Sequence, residues 1–244
     1  MTKDDRIVVD IDGDVMHVVL NRPEVRNAQT PAMWEQLAQI ADQVPTDVRF
    51  VVLSGAGPDF SAGLDRAVLA EGMLADLQHD PAAFITQAQS GFACWTRIPQ
   101  VVIAQVQGNA IGAGFQLALA SDLIIAAPSA RFSMREVTIG LVPDLGGTGA
   151  LVDAIGYRRA FGLCATGEFL SAEQAHSWGL VHQLAEEPSV ATELLLAHLR
   201  ELDGATIGDI KALLQTVATD RNSWSKENIA QVQRLATLLS GGHR

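Results

Sequence analysis

The sequence predicts an α/β fold with a largely parallel sheet. Short apolar runs alternate with longer stretches of helical periodicity along the first part of the 244-residue chain. Turn signals rich in glycine, proline and aspartate separate these segments, and from about Pro188 onward only helical patterns remain. Strands that alternate with helices pair in parallel, because each helix crosses back over the sheet before the next strand begins.

The chain opens with a predicted hairpin and a helix. Two apolar runs, Ile7–Asp12 and Val15–Leu20, flank an Asp-Gly-Asp turn at residues 12–14, which is a hairpin signal. Thr30 followed by Pro31 predicts a helix N-terminus, because threonine caps the first turn and proline suits the first helical position. Apolar residues then recur on one face of the predicted helix: Met33, Leu37, Ile40 and Val44.

Further strands and helices follow. Residues 49–53 and Val101–Val106 read as strands, and a helix is predicted between them from Asp80 to about Trp95. The loop at residues 55–79 is long, and long loops in compact domains are usually functional or mobile. Later helical patterns include a capping box at Ser171 and two stretches near the end of the chain, residues 192–202 and 222–239.

The stretch from residue 101 to 147 indicates a catalytic site. Its first strand leads into a turn with three glycines, and a helix pattern and a second strand, Leu123–Ala126, follow. Two acids, Glu136 and Asp144, come next. Backbone N–H groups at a glycine-rich turn that enters a helix attract negative charge. Acids near such a turn suggest proton transfer beside a stabilised oxyanion.

Composition excludes several classes of function. The net charge of −11 disfavours nucleic-acid binding, because a phosphate backbone would be repelled. Residues 101–127 contain too many polar side chains for a membrane span. Cys94 and Cys164 have no metal-ligand spacing, and we expect buried thiols in a reducing compartment. The acidic N-terminus lacks the apolar region of a signal peptide, so a cytoplasmic protein is expected.

Common nucleotide and hydrolase motifs are missing. Leu117 stands where a dinucleotide-binding loop needs its third glycine, and the phosphate-binding loop of nucleoside triphosphatases is absent. No serine lies in the nucleophile motif of α/β-hydrolases. The histidines are scattered along the chain and predict no metal site.

Several short motifs in one order and register resemble the crotonase superfamily, the enoyl-CoA hydratase/isomerase family. The resemblance spans about residues 7 to 184, and it rests on residues 20–23, 26–28, 60–65, 108–114, 121–122, 140–144, 146–148, 170–172 and 175–181. It implies a core of repeated ββα units arranged as a spiral, at residues 1–187. A C-terminal helical region for oligomerisation, at residues 188–244, would follow, in a homotrimer or hexamer.

The resemblance also implies an acyl-CoA thioester as substrate and no cofactor beyond that CoA. The backbone N–H groups of Leu64 and Ala113 would polarise the thioester carbonyl, where a preorganised donor is worth about 3 kcal/mol. Arg26 and Arg66 would meet the CoA phosphates. The remaining substrate or CoA contacts are expected at Ala62, Asp65, Gly112 and Gln116.

The acids indicate which reaction is expected. Hydratases of this family use two glutamates, and here the first position holds Gln116 while the second holds Glu136. Glutamine does not exchange a proton near neutral pH. Glu136 could still move a proton between two carbons, and Asp144 stands where some isomerases of the family carry a second acid.

Two structural interpretations of these acids stay open at this point. Glu136 could be a surface acid paired with Arg131 or Arg135, and Asp144 could cap the helix that begins near Gly146.

The favoured hypothesis is therefore an enoyl-CoA isomerase that works through an oxyanion-stabilised enolate. Two alternatives remain: a non-catalytic acyl-CoA binding protein, and a weak hydratase in which the second acid, Asp144, holds the water. The acyl group itself is not predicted, because residues 66–79 should shape its pocket and loop conformation cannot be deduced from sequence.

Overall fold

The structure is a computed structural model, and it describes residues 5–71, 80–219, 228–229, 232 and 235–236. The predicted helix at residues 222–239 and the last part of the long loop before residue 80 lie largely outside the described residues.

The strands and helices follow the predicted alternation. The strands are β1 Ile7–Asp12, β2 Val15–Leu20, β3 Phe50–Gly55, β4 Val101–Val106, β5 Asn109–Ile111, β6 Leu123–Ala126, β7 Arg131–Ser133, β8 Leu170–Ser171 and β9 Gln183–Leu184. The α-helices are α1 Pro31–Asp42, α2 Arg66–Glu71, α3 Pro81–Arg97, α4 Ala113–Leu119, α5 Gly147–Ile155, α6 Tyr157–Thr166, α7 Ala172–Ser177, α8 Pro188–Arg200 and α9 Gly204–Thr219. Short 3-10 helices lie at Pro23–Val25 and Glu136–Ile139.

The main sheet is largely parallel, as predicted. Its strand order is β1-β2-β3-β4-β6-β9, and the hairpin of β1 and β2 supplies its antiparallel pair. The pairs from β2 to β9 are parallel. Each parallel connection needs a crossover, and these crossovers carry the helices and the turns that form the site.

A second, small sheet turns the chain into a spiral. It has the order β5-β7-β8. The repeated unit is a main-sheet strand, a short strand of the second sheet and a helical segment. It occurs first as β4, β5 and α4, and again as β6, β7 and the 3-10 helix at Glu136–Ile139. The segment after β3 joins the same arrangement through a bridge between Ser61 and Ala110. This repeat confirms the predicted α/β fold with ββα units.

Both faces of the central strands of the main sheet are buried, whereas most of the edge strand β1 is exposed. Along β3, Val51 and Leu53 face one hydrophobic cluster with α1 and α3, whereas Phe50 and Val52 face another. Successive side chains of a strand point to opposite faces, so both faces need cover. The second cluster includes Leu196 of α8, so helices beyond residue 188 share a core with the sheet. The proposed division between residues 187 and 188 stays a prediction.

An ion pair between the buried Lys211 and the solvent-exposed Asp122 fixes α9 to the strands. Lys211 is 8% exposed and donates from Nζ to Asp122 Oδ2 at 2.8 Å and to the carbonyl of Gln100 at 2.7 Å. Desolvation lowers the pKa of Lys211, while the Asp122 carboxylate opposes that shift. The same carboxylate accepts from the N–H of Val102 at the start of β4, so one acid joins α9 to the sheet.

Both cysteines are half-buried rather than fully buried as predicted. Burial raises the pKa of Cys94 to about 12, so this thiol is a poor nucleophile.

Among the described residues, no group of three or more metal-ligating side chains is present. The described helices also include none that is both long and apolar enough to span a bilayer.

Candidate active site

Two turns meet at the carboxyl ends of the central strands of the main sheet, one after β3 and one after β4. The N–H of Ser61 donates to the carbonyl of Asn109 at 2.9 Å, and the N–H of Ile111 donates to the carbonyl of Ser61 at 3.0 Å. Gly63 permits the contact, because its φ is +85° and a Cβ there would lie 2.4 Å from the Ile111 oxygen. The same hypothetical Cβ would lie 3.4 Å from the Ala113 nitrogen.

This contact brings the predicted oxyanion donors to one cavity. Leu64 and Ala113 both line it, and neither N–H donates to another residue that the structure describes. Ala113 is the first residue of α4, where a backbone N–H has no partner within its helix. Gly112 precedes it with φ 52° and ψ −120°, a conformation that favours glycine.

A buried network of polar side chains supports the turn that carries Leu64. Ser61 Oγ donates to the Asn27 carbonyl at 2.8 Å and accepts from Gln29 Nε2 at 3.1 Å. Trp34 Nε1 donates to Gln29 Oε1 at 2.9 Å. Asn27, Gln29 and Ser61 are fully buried, and such satisfied networks hold a backbone rigidly. The N–H of Gly63 also donates to Ser61 Oγ, at 3.2 Å.

The cavity has a volume of about 100 Å³. Seven predicted site residues line it: Ala62, Leu64, Arg66, Gly112, Ala113, Glu136 and Asp144. Most of the remaining wall is apolar, and its larger side chains are Trp34, Phe84, Ile85, Ile139, Leu141, Leu145 and Leu235. A cavity with apolar walls and a few convergent polar groups is the usual form of a small-molecule site.

Glu136 lines this cavity and has a buried carboxyl oxygen. The residue as a whole is half-buried, but its Oε2 is buried and has no hydrogen-bond partner among the described residues. Burial raises the pKa of Glu136 from its ordinary 4.5 to about 7, although its backbone N–H and the hydrogen bond from Gln116 oppose the shift. This carboxyl group can therefore take up and release a proton near neutral pH.

The alternative of a surface acid paired with arginine does not match this geometry. The Arg131 guanidinium lies 4.1 Å from the centre of the Phe169 ring, and that of Arg135 lies 5.6 Å from it. Arg135 also donates to the carbonyl of Gly167 at 3.2 Å. Glu136 forms no ion pair with either arginine among the described contacts.

Gln116 lies behind Glu136 and not in the cavity wall. Its Nε2 donates to Glu136 Oε1 at 2.8 Å, and its Oε1 accepts from the N–H groups of Leu145 at 2.8 Å and Gly147 at 3.3 Å. Asp144 is 7% exposed and borders the cavity, and its carbonyl accepts from Gln89 Nε2 at 2.7 Å. The N-cap of α5 is Gly146 rather than Asp144.

The other two predicted contacts lie outside the cavity. Arg26 has a 70% exposed side chain and sits 3.9 Å from Asp59. Asp65 pairs with Arg22 at 2.9 Å and accepts from the N–H of Ala67 at the start of α2. In this structure, Asp65 therefore orders the turn that carries the Leu64 donor.

Sequence reasoning did not identify the support network of Asn27, Gln29 and Ser61. A signal was present, because Asn27 and Ser61 lie within the motifs that carry the family resemblance. Their roles depend on contacts across about 32 residues of chain, and no local pattern reveals such contacts.

Comparison with known proteins agrees with this geometry. A family model described as enoyl-CoA hydratase/isomerase matches residues 10–239. The chain is 37% identical to 1,2-epoxyphenylacetyl-CoA isomerase of Escherichia coli K12, over 94% of this chain and 89% of that protein. It is 32% identical to 2,3-dehydroadipyl-CoA hydratase of the same organism, over 96% of this chain and 90% of the relative.

Solved structures show the same fold. A Thermobifida fusca YX protein in complex with acetoacetyl-CoA is 37% identical and superposes with a TM-score of 0.81, covering 95% of each chain. An enoyl-CoA hydratase/isomerase from Mycobacterium paratuberculosis is 28% identical with a TM-score of 0.84, over 94% of this chain and 93% of the other.

Proposed function

This chain belongs to the enoyl-CoA hydratase/isomerase family and is an acyl-CoA enzyme, and we propose that it moves a carbon–carbon double bond through a thioester enolate. The observation that carries the proposal is the buried Glu136 carboxyl group, which has Gln116 rather than a second acid beside it. Asp144 on the same cavity is the second acid. Relatives with isomerase names are consistent with this choice.

The N–H groups of Leu64 and Ala113 bind the thioester oxygen in this proposal. Negative charge collects on that oxygen when the enolate forms, so donors already aimed at it stabilise the transition state more than the substrate. Removal of one such donor typically lowers kcat by about 100-fold or more. The rigid turn behind Leu64 keeps its donor in place without reorganisation during the reaction.

The proton steps use the two carboxyl groups. Glu136 removes a proton from a carbon of the acyl group, and the electron pair of that bond moves toward the thioester oxygen as the enolate. A proton then returns at another carbon, and the double bond ends at a new position. The donor is Glu136 itself or a protonated Asp144; in the second case Glu136 releases its proton to solvent and Asp144 takes one up before the next turnover. No water enters the product, and no cofactor is needed besides the CoA of the substrate.

Hydration is disfavoured because water addition needs one group to activate water and another to deliver a proton. Gln116 can do neither near neutral pH. The second candidate function is a hydratase in which Asp144 holds the water. It is supported by the similarity of the chain to a relative that is named as a hydratase. A protein that binds acyl-CoA without turnover is the third.

CoA is bound along the turn that carries Ala62, Asp65 and Arg66. Arg66 lines the cavity, and Arg26 on the neighbouring turn has an exposed guanidinium. Arginine suits phosphate because its planar fork donates two parallel hydrogen bonds. These two side chains therefore meet the CoA phosphates, and Ala62 and Asp65 border the nucleotide portion.

The protein assembles as a homotrimer or hexamer in the cytoplasm. Helices α8 and α9 support this proposal, because Leu194, Leu213 and Leu214 are each more than 65% exposed in the single chain. Exposed leucines on neighbouring helices are typical of a subunit interface. Light scattering of the purified protein gives the subunit number directly.

The test is turnover of a panel of 2-enoyl-CoA and 3-enoyl-CoA substrates in deuterated water, followed by NMR. We expect a shifted double bond, with deuterium at C4 when a 3-enoyl-CoA is the substrate and at C2 when a 2-enoyl-CoA is the substrate, and no hydroxyacyl-CoA. Glu136→Gln should lower kcat by at least about 100-fold. Full turnover by that variant would contradict the proposal, and a hydroxyacyl product would favour the hydratase. Tight binding in calorimetry without any turnover would favour the binding protein.

A further inference from the structure

The side chain of Gln116 is held in one orientation. It is 1% exposed, and its amide lies between the Glu136 carboxyl group on one side and two backbone N–H groups on the other. The N–H groups of Leu145 and Gly147 can only donate, so they require the amide oxygen. The amide NH₂ must then face Glu136.

Close packing keeps the amide in this place. A Cβ on Gly147 would lie 2.8 Å from Gln116 Cγ and 3.1 Å from its Oε1. The glycine therefore lets the start of α5 approach the amide, and an N–H of α5 reaches the amide oxygen as a result. Because α4 carries Gln116, this single side chain joins both helices to the acid.

The two oxygens of Glu136 consequently differ. Oε1 accepts from Gln116 Nε2, and it would lie 3.3 Å from a Cβ on Gly112. Oε2 has no hydrogen-bond partner among the described residues and would lie 4.0 Å from that Cβ. An oxygen without a donor is the more basic of the two, because nothing else stabilises its charge.

We propose that Gln116 is a positioning residue for Glu136: its NH₂ group holds Oε1 and leaves Oε2, which no described residue bonds, as the oxygen that carries the exchangeable proton. The inference rests on the proposed function for its catalytic meaning. The effect of the Gln116 hydrogen bond on the pKa of Glu136 does not depend on which reaction the protein catalyses. The amide also keeps Glu136 ionised over a wider pH range, since a hydrogen bond to a carboxylate favours its charged form.

Two substitutions separate the donor from the acceptor of Gln116. Gln116→Glu retains an acceptor for the Leu145 and Gly147 N–H groups, but it replaces the donor at Glu136 with a second carboxyl oxygen. Gln116→Met removes both functions at similar length. Gln29→Leu is the matched control, because Gln29 is an equally buried amide that bonds to Ser61 and Trp34 and not to Glu136.

The measurement is the titration of the Glu136 carboxyl carbon in protein labelled with ¹³C-glutamate, with the signal assigned by its absence in Glu136→Gln. In Gln116→Met the midpoint should rise by about one pH unit, the effect of losing one hydrogen bond to a charged group. In Gln116→Glu the two carboxyl groups should titrate in two coupled steps, the upper one above the wild-type midpoint. The acidic limb of the kcat profile should move in the same direction.

An unchanged Glu136 midpoint in Gln116→Glu overturns the inference, and so does an equal rise in Gln29→Leu. If Gln116→Met fails to fold, Gln116→Glu still decides. Should the wild type turn over none of the enoyl-CoA panel, the proposed function fails, while the titration continues to test the role of Gln116. Should it turn over normally with no midpoint shift in the variants, the inference alone fails.

Discussion

Replacing Glu136 by glutamine should make the protein more stable while removing its activity. Wild-type Glu136 has a pKa of about 7 because burial disfavours its charged form, against an ordinary value of 4.5. A folded-state pKa above the unfolded one means that the folded state binds the proton more tightly. The stability that Glu136 contributes is therefore fully present below about pH 4.5 and is lost as the pH rises through about 7.

The shift from 4.5 to about 7 corresponds to about 3 kcal/mol at most. Glutamine does not titrate and can occupy the same place beside Gln116. The difference in unfolding free energy, variant minus wild type, should thus grow by about 3 kcal/mol between about pH 4.5 and pH 8. Substitutions that remove an unfavourably buried charge from an active site commonly stabilise the protein and lower its activity.

The assay is urea unfolding at a series of pH values, with the protein concentration held constant because oligomer stability depends on it. Glu173→Gln is the control of opposite sign. Its backbone and Ser171 hydrogen bonds lower the pKa of Glu173, so that residue stabilises the protein above its ordinary pKa and the variant should lose this stability at neutral pH. A variant-minus-wild-type difference for Glu136→Gln that stays flat with pH would refute the reasoning.

Three further predictions follow from the described contacts. Gly112→Ala should lower kcat by at least about 10-fold and destabilise the protein by about 1 kcal/mol or more, because φ is +52° and the methyl group would press on Glu136 Oε1; thermal unfolding and steady-state kinetics check both. Lys211→Met should cost about 1–2 kcal/mol in urea unfolding, since it removes a charged donor from the Gln100 carbonyl and the Asp122 carboxylate, and wild-type stability in this variant would contradict the role of the ion pair. Asn27→Ala should lower the melting temperature and kcat together, because its amide donates to the Ala56 and Asp59 carbonyls behind the turn of the oxyanion donor; normal kcat in a destabilised variant would contradict the link.

Local sequence patterns predicted most of the secondary structure. The hairpin, the Thr30 cap of α1 and strand β4 lie where turn chemistry and apolar periodicity put them. The capping box at Ser171 is present as expected. These features depend on residues close together in the chain, so neighbouring residues suffice to predict them.

The site was predictable only in part. Motif order pointed to Leu64, Ala113, Glu136 and Asp144, and all four line one cavity. Their chemical roles stay proposals. The ion pair of Asp65 with Arg22 could not be predicted from local sequence patterns, because the two residues are 43 positions apart in the chain.

The amino-acid sequence by itself determined the α/β class, the glycine turns and the replacement of one acid by Gln116, because each is a property of residue type and local spacing. The tertiary structure decided what Gln116 does. Its amide meets Glu136 after 20 residues and the N–H groups of Leu145 and Gly147 after about 30. Hydrogen-bond direction and burial depend on such distant neighbours, and together they leave Glu136 with one bonded oxygen and one buried oxygen without a partner among the described residues.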